Sequence, residues 1–149
     1  TAAGYRELQQ EMQALWARRR EVTRALAAAA AEGDRSENAE YIYRRKELRE
    51  LDRRIRYLQR RLPSLRVVDT APADRTRVFF GARVTLEDAD GNEVTYRIVG
   101  ADEFDPKRNW ISVDSPIARA LIGQNEGDAI TFAAPDGEKQ FEIIEVRYI

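Results

Sequence analysis

The chain has 149 residues, with 25 Lys+Arg against 26 Asp+Glu, and contains neither histidine nor cysteine. Those two absences exclude Ser-His and Cys-His dyads, histidine-ligated metals, disulfides, zinc ribbons and thiol nucleophiles, so any chemistry must rest on carboxylates, hydroxyls, Lys/Arg or backbone. No apolar run approaches the roughly 18 residues of a membrane span and no signal peptide is visible; with the lack of cysteine this fits a cytoplasmic protein. The chain opens at Thr1 rather than Met, so a few preceding residues are expected to be missing.

The near-zero net charge hides an asymmetry. Residues 1–70 carry 16 Lys+Arg and 11 Asp+Glu, a net +5; residues 71–149 carry 9 and 15, a net −6. Such a split suggests different partners for the two halves. The basic half suits a polyanion, DNA or RNA; the acidic half suits a basic protein surface or simply solubility.

In the first half, Tyr5, Leu8, Met12, Leu15, Val22 and Leu26 recur at heptad spacing, with Arg19 in the one missing seam position. Tyr41, Leu48, Leu51, Ile55, Leu58 and Leu62 repeat the pattern, with Arg44 in the gap. This predicts two antiparallel helices zipped along one seam. The only break is Glu32-Gly33-Asp34-Arg35-Ser36-Glu37. Gly33 is placed as the stop of the first helix, Asp34 or Ser36 as the cap of the second, and Pro63 as its end. A hairpin of this kind reaches roughly 35–40 Å. A purely structural reading is a dimerisation hairpin.

From Leu65 onward the pattern changes to strands. Val78–Leu86 is β-branched and aromatic, Asp90-Gly91 marks a hairpin turn, and Val94–Val99 returns. Trp110–Val113 is a short strand. Ser115 and Pro116 start a helix that Gly123 stops. Ile130–Ala133 and Gln140–Val146 flank the turn Pro135-Asp136-Gly137. The expectation is an α+β chain, with a coiled-coil hairpin over 1–70 and a small antiparallel sheet with one helix over 71–149.

Three features carry chemistry. Asp34 and Glu37 sit three apart at the tip, with Glu32 and Glu40 nearby, and carboxylate oxygens suit Mg²⁺. Two carboxylates on a loop make a poor dedicated site, so the tip reads as completing a metal site made elsewhere, against the alternative of a solvated loop. Arg18, Arg19, Arg20, Arg44, Arg45 and Lys46, with Tyr41, Tyr43 and Tyr57 interleaved, suit phosphates and bases, against a solvated helix face. Asp114, Ser115 and Pro116 are explained as a helix start, with Pro116 and Ile117 alternatively exposed anchors for a partner. No G-x-S-x-G, P-loop or G-x-G-x-x-G is present, so free-standing hydrolase chemistry is poorly supported.

The segment Gly33-Asp34-Arg35-Ser36-Glu37-Asn38-Ala39-Glu40-Tyr41 resembles the G-D-x-x-E-N-A-[DE]-Y tip of bacterial Gre transcript-cleavage factors. Thr1-Ala2-Ala3-Gly4-Tyr5 with Leu8, Tyr96–Gly100 and Ile111–Gly123 resemble other parts of that family, in order and over almost the whole chain. Arg35-Ser36, the basic run from Arg44 to Leu58, and Asp114 in place of Asn resemble the B-type factors more than the A-type.

The resemblance implies an N-terminal coiled coil and an FKBP-like C-terminal domain. It implies docking at the rim of the RNA polymerase secondary channel, with the hairpin tip reaching the polymerase active site. There it would stimulate the polymerase's own cleavage of the 3′ end of nascent RNA in backtracked complexes. On this chain it assigns Asp34 and Glu37 to a Mg²⁺ shared with polymerase and to positioning water. It assigns Arg18–Arg20 and Arg44–Lys46 to guiding RNA, and Asp114, Ser115 and Pro116 to polymerase. The protein would then activate another enzyme rather than be one. Competing readings are a non-cleaving channel modulator, and an FKBP-like prolyl isomerase or chaperone. The latter needs an open aromatic pocket, whereas Phe79, Phe80, Phe104, Trp110, Phe132 and Phe141 read as core.

Overall fold

The computed structural model describes residues 1–31 and 38–148. The chain divides into two compact units, Ala3–Val67 and Val68–Ile149, the second joined by Thr1–Ala2.

The first unit is the helical one. α1 spans Ala2–Ala30 and α2 spans Ala39–Ser64, about 44 and 39 Å long at 1.5 Å per residue. Their partners run in opposite directions along the chain. Arg54 forks onto Glu11 at 2.7 and 2.9 Å, Arg19 bonds Asp52 at 2.7 Å, Arg18 bonds Glu47 at 2.7 Å, and Asn38 reaches Ala29 at 2.8 Å. Antiparallel pairing is the arrangement that the two heptad runs predict. Val22 and Leu58 are fully buried, and Leu8, Ala29 and Ile55 nearly so. The other seam side chains are only partly covered, which is what a two-helix seam without a third layer allows. Arg19 and Arg44 do occupy seam gaps, and each is partly buried while its guanidinium reaches a carboxylate.

Two boundaries differ from the sequence expectation. The cap of α2 is Asn38, not Asp34 or Ser36: its side-chain oxygen accepts from the Tyr41 N–H at 3.1 Å. Pro63 does not end α2, which continues to Ser64. A proline in the last turn forfeits one bond without a following turn to break, and the chain leaves the helix at Leu65, whose N–H bonds the Leu62 carbonyl at 3.3 Å. Gly33 lies outside the described residues.

The second unit is a five-stranded sheet of β1 (Arg83–Glu87), β2 (Glu93–Val99), β3 (Trp110–Ser112), β4 (Ala129–Ala134) and β5 (Gly137–Arg147), in the order β3-β2-β1-β5-β4. The α+β class stands, but the sheet is mixed: β3 pairs parallel to β2. The ten-residue link that makes this possible carries two 3-10 turns, Ala101–Glu103 and Pro106–Arg108, whose lack of periodicity hides them in the sequence. The β1–β2 hairpin forms as expected. Asp88 accepts from the N–H groups of Asp90 and Asn92 at 2.9 Å each, and Gly91 takes φ +82°.

The expected strand from Val78 is shorter than its composition suggests. Gly81, at φ +87°, turns the chain, so pairing starts at Arg83. The preceding stretch is instead held by Val78 N–H to the Gln124 carbonyl and Gly81 N–H to the Ile98 carbonyl, both 2.8 Å. α3 (Pro116–Leu121) buries Ala118 and Leu121 against Val84, Leu86, Ile98, Ile111 and Ile143. The core is therefore aliphatic. The aromatic residues expected in it are only partly covered, and Phe104 is 59% exposed.

Candidate functional site: hairpin tip, basic flank and the turn into α3

At the tip, Asp34 and Glu37 lie outside the described residues, as do Glu32 and Arg35. The residues that bracket them are described. α1 ends at Ala30 and α2 begins at Ala39. Asn38 joins the two ends: its carbonyl oxygen caps α2 while its amide donates to the Ala29 carbonyl at 2.8 Å. One side chain thus satisfies an orphan donor at a helix start and an orphan acceptor at a helix end. Composition hides this dual role, because Asp34 and Ser36 are equally good cap types; only the position of the first helical turn separates them. Among the described residues no group of three or more acidic side chains is placed to hold a metal.

The basic flank separates into two sets. Arg18 pairs with Glu21 at 3.0 Å and Glu47 at 2.7 Å, Arg19 with Asp52 at 2.7 Å, and Arg44 with Glu40 at 2.8 Å and Glu47 at 3.0 Å. Burial by itself would raise the Glu47 carboxyl, but hydrogen bonds from Arg18 and Arg44 outweigh it and hold the group below the usual carboxylate range. Arg20, Arg45 and Lys46 are exposed and make no ion pair among the described residues. Of the six residues predicted to guide RNA, these three present uncompensated charge. Tyr43, 60% exposed, lies under the Arg44 guanidinium at 5.5 Å. Further along α2, Arg53, Arg56, Tyr57, Arg60, Arg61 and Ser64 line an open groove of about 510 Å³.

The third region is the turn from β3 into α3. Ser112 accepts from the Asp114 N–H at 3.1 Å, the Ser112 carbonyl accepts from Ser115 N–H at 2.9 Å, and Ser115 Oγ accepts from Ala118 N–H at 3.3 Å. With Pro116, which has no N–H, at the first helical position, the backbone donors of Asp114, Ser115 and Ala118 are tied. The Asp114 carboxylate and the Pro116 ring are left exposed at fixed spacing. Ser115 serves as the cap that the sequence predicts, partly buried.

Four of the six aromatic residues that a prolyl-isomerase pocket would need are engaged in separate contacts. Phe132 stacks on Phe141 at 5.9 Å, Phe79 lies under Arg77, and Trp110 lies under Arg97 and Arg108.

Two family models match this geometry in sequence. The N-terminal model of the transcription elongation factors covers residues 1–67, and the GreA/GreB C-terminal model covers residues 72–148. The chain belongs to the GreA/GreB transcription elongation factors. It is 57% identical to the transcription elongation factor GreB of Xanthomonas axonopodis pv. citri, over 99% of this chain and 89% of the relative. It is 50% identical to GreB of Yersinia pestis, over 99% and 87%. A solved Thermus aquaticus Gfh1 is 27% identical over 99% of this chain and 96% of its own, with TM-score 0.46. The B-type resemblance of the basic run and Asp114 agrees with the curated relatives.

Proposed function

We propose that this elongation factor inserts its helical hairpin into the secondary channel of RNA polymerase and stimulates the polymerase's own cleavage of RNA in backtracked complexes. What supports this reading is sequence position: Asp34 and Glu37 fall between α1 and α2, which pair antiparallel among the described residues. A carboxylate pair carried in sequence between two helices each about 40 Å long suits a site that belongs to another molecule.

The roles divide as follows. Asp34 and Glu37 offer carboxylate oxygens, a donor type that Mg²⁺ accepts but too few to complete its octahedron alone. The donor set therefore fits an ion shared with polymerase. Such an ion supplies charge stabilisation at phosphorus and a more acidic bound water. The carboxylates would also orient that water by accepting its hydrogen. Asn38 holds the base of the tip. Arg20, Arg45 and Lys46 face the phosphates of the extruded 3′ end, with Arg18, Arg19 and Arg44 fixing the helices from which they project. Asp114 and Pro116, set by Ser115, contact the polymerase at the channel rim. The chain is then not an enzyme but an activator, acting in the cytoplasm where transcription runs.

The test is RNA cleavage by a backtracked complex with wild type, Asp34→Ala and Glu37→Ala. Both variants are expected to keep polymerase binding and lose stimulation. Unchanged cleavage overturns the assignment of the pair, and inhibition without cleavage by the wild type makes the chain a channel modulator instead.

A further inference from the structure

The sheet carries a row of charges that the reading above does not use. Cross-strand register sets Arg147 of β5 opposite Arg83 of β1, Arg83 opposite Arg97 of β2, and Arg97 opposite Trp110 of β3. Strand alternation puts this row on the face opposite Val84, Ile98, Ile111 and Val146, which enter the core. With neighbouring strands about 4.8 Å apart, three guanidinium stems start within about 10 Å of each other. Like charges directly opposite one another destabilise a sheet, so the row needs a reason.

Its internal compensation is incomplete. Arg147 bonds Glu145 at 3.4 Å, and Arg108, beside the row, bonds Asp105 at 3.0 Å. Arg83 and Arg97 make no ion pair among the described residues, and Arg97 Nε is buried with no hydrogen-bond partner. Burial first, then the charge of Arg83, pushes the Arg97 guanidinium below its usual value, with Glu103 opposing. Trp110 lies under Arg97 at 5.1 Å and Arg108 at 4.6 Å, which steadies both side chains but supplies no anion.

We propose that the Arg147–Arg83–Arg97 row, with Trp110 at its edge, docks an acidic segment of RNA polymerase whose carboxylates pair with Arg83 and Arg97. This rests on the polymerase-docking reading above. Two observations favour that occupant. β3 is an edge strand and runs directly into Asp114, so a partner seated at Asp114 and Pro116 extends naturally onto Trp110 and Arg97. The residues from 71 onward carry a net −6, so the row is a local positive feature in an acidic surround. A nucleic acid is drawn by a field over a Debye length of about 8–10 Å, which those carboxylates weaken. A short acidic protein segment needs only the contact itself. Arginine beside tryptophan is also the composition of interface hot spots.

The experiment measures RNA polymerase affinity of the full chain, comparing wild type with Arg83→Gln/Arg97→Gln at low and high salt, with single-stranded RNA as a parallel ligand. The double variant is expected to bind polymerase about tenfold more weakly at low salt, with the gap closing as salt rises. Thermal unfolding of Arg83→Gln supplies the second readout. Its midpoint is expected to equal or exceed that of wild type, because a repulsive neighbour is removed. If wild type binds and the double variant binds equally well, the row is not a docking surface, while the polymerase reading survives. If wild type itself fails to bind, the polymerase reading falls. Loss confined to single-stranded RNA makes the row a nucleic-acid contact and overturns the proposal. A clearly lowered midpoint for Arg83→Gln makes it structural and does the same.

Discussion

Asn38 is the most informative single residue to perturb, because one side chain serves both helices. Asn38→Ala removes the acceptor for the Tyr41 N–H and the donor to the Ala29 carbonyl. Losing a cap costs about 1 kcal/mol, within a range of about 0.5–2. Losing the second hydrogen bond costs about 0.5–1.5 kcal/mol. Together they make about 1–3.5 kcal/mol. A unit the size of Ala3–Val67 has about 3–10 kcal/mol of stability in total, so the loss is a large fraction. Asn38→Asp separates the two roles. It keeps the acceptor and adds a favourable charge at the helix start, but sets a carboxylate against the Ala29 carbonyl.

The expected order of stability is wild type, then Asp, then Ala, read from urea unfolding of the full chain by far-UV circular dichroism with unchanged denaturant slope. An Asp variant as stable as wild type means that the bridge to Ala29 contributes no more than the charge gained at the helix start. An Ala variant within about 0.5 kcal/mol of wild type, the range of ordinary surface changes, refutes the clamp altogether. In the backtracked-complex assay both variants are expected to lose stimulation more than binding, since the residues on either side of Asp34 and Glu37 are what Asn38 ties together.

Glu47 gives a pH prediction. Its folded carboxyl is held below its unfolded value by Arg18 and Arg44, so its contribution is present above the ordinary glutamate value of about 4.3 and is lost as pH falls through the lower folded value. Unfolding midpoints from neutral to acidic pH are expected to fall more steeply for wild type than for Glu47→Gln, and parallel curves would show that the triad does not titrate. Ser115→Ala removes the cap of α3 and is expected to weaken polymerase binding severalfold, through looser placement of Asp114 and Pro116. A Ser115→Asp variant, which restores a cap acceptor, is expected to recover much of the loss, and failure to do so assigns the Ser115 hydroxyl a direct contact. Tyr148→Phe strips a bond to the Arg77 carbonyl at 2.6 Å and one from the Phe79 N–H at 2.8 Å. It is expected to lower stability of the sheet unit by about 1–3 kcal/mol in calorimetry, and a shift smaller than about 0.5 kcal/mol means that water replaces both partners.

What was legible in the sequence was what periodicity and turn chemistry encode. Heptads marked both helices because their seam repeats; Asp90-Gly91 and Ser115-Pro116 marked a hairpin and a helix start because few other conformations use those residues. What was missed depends on tertiary placement. Asn38 competes with two nearby cap types, and its second bond reaches nine residues back. Gly81 sits inside a β-branched run, and only its positive φ shows that the strand begins later. The parallel β2–β3 pair follows from a link without repeating pattern. The arginine row spans residues from 83 to 147 and exists only through register.

The same dependence on register sharpens the charge argument. A net +5 over residues 1–70 marks the arm as basic without saying which of its charges are paired. The structure spends Arg18, Arg19, Arg44 and Arg54 on carboxylates, three of these four across the seam. These pairs set register and direction, since a parallel arrangement would not bring Glu11 to Arg54 or Asp52 to Arg19. Charge left for a polyanion is then concentrated in residues without such partners, Arg20, Arg45 and Lys46 among them. If the arm guides RNA, Arg45→Gln with Lys46→Gln should weaken RNA crosslinking and flatten its salt dependence without changing helix stability. Arg19→Gln should lower stability instead, because it strands Asp52 at a partly buried seam position. Equal effects of both substitutions on both readouts would mean that pairing does not divide the arm into a structural and a functional set.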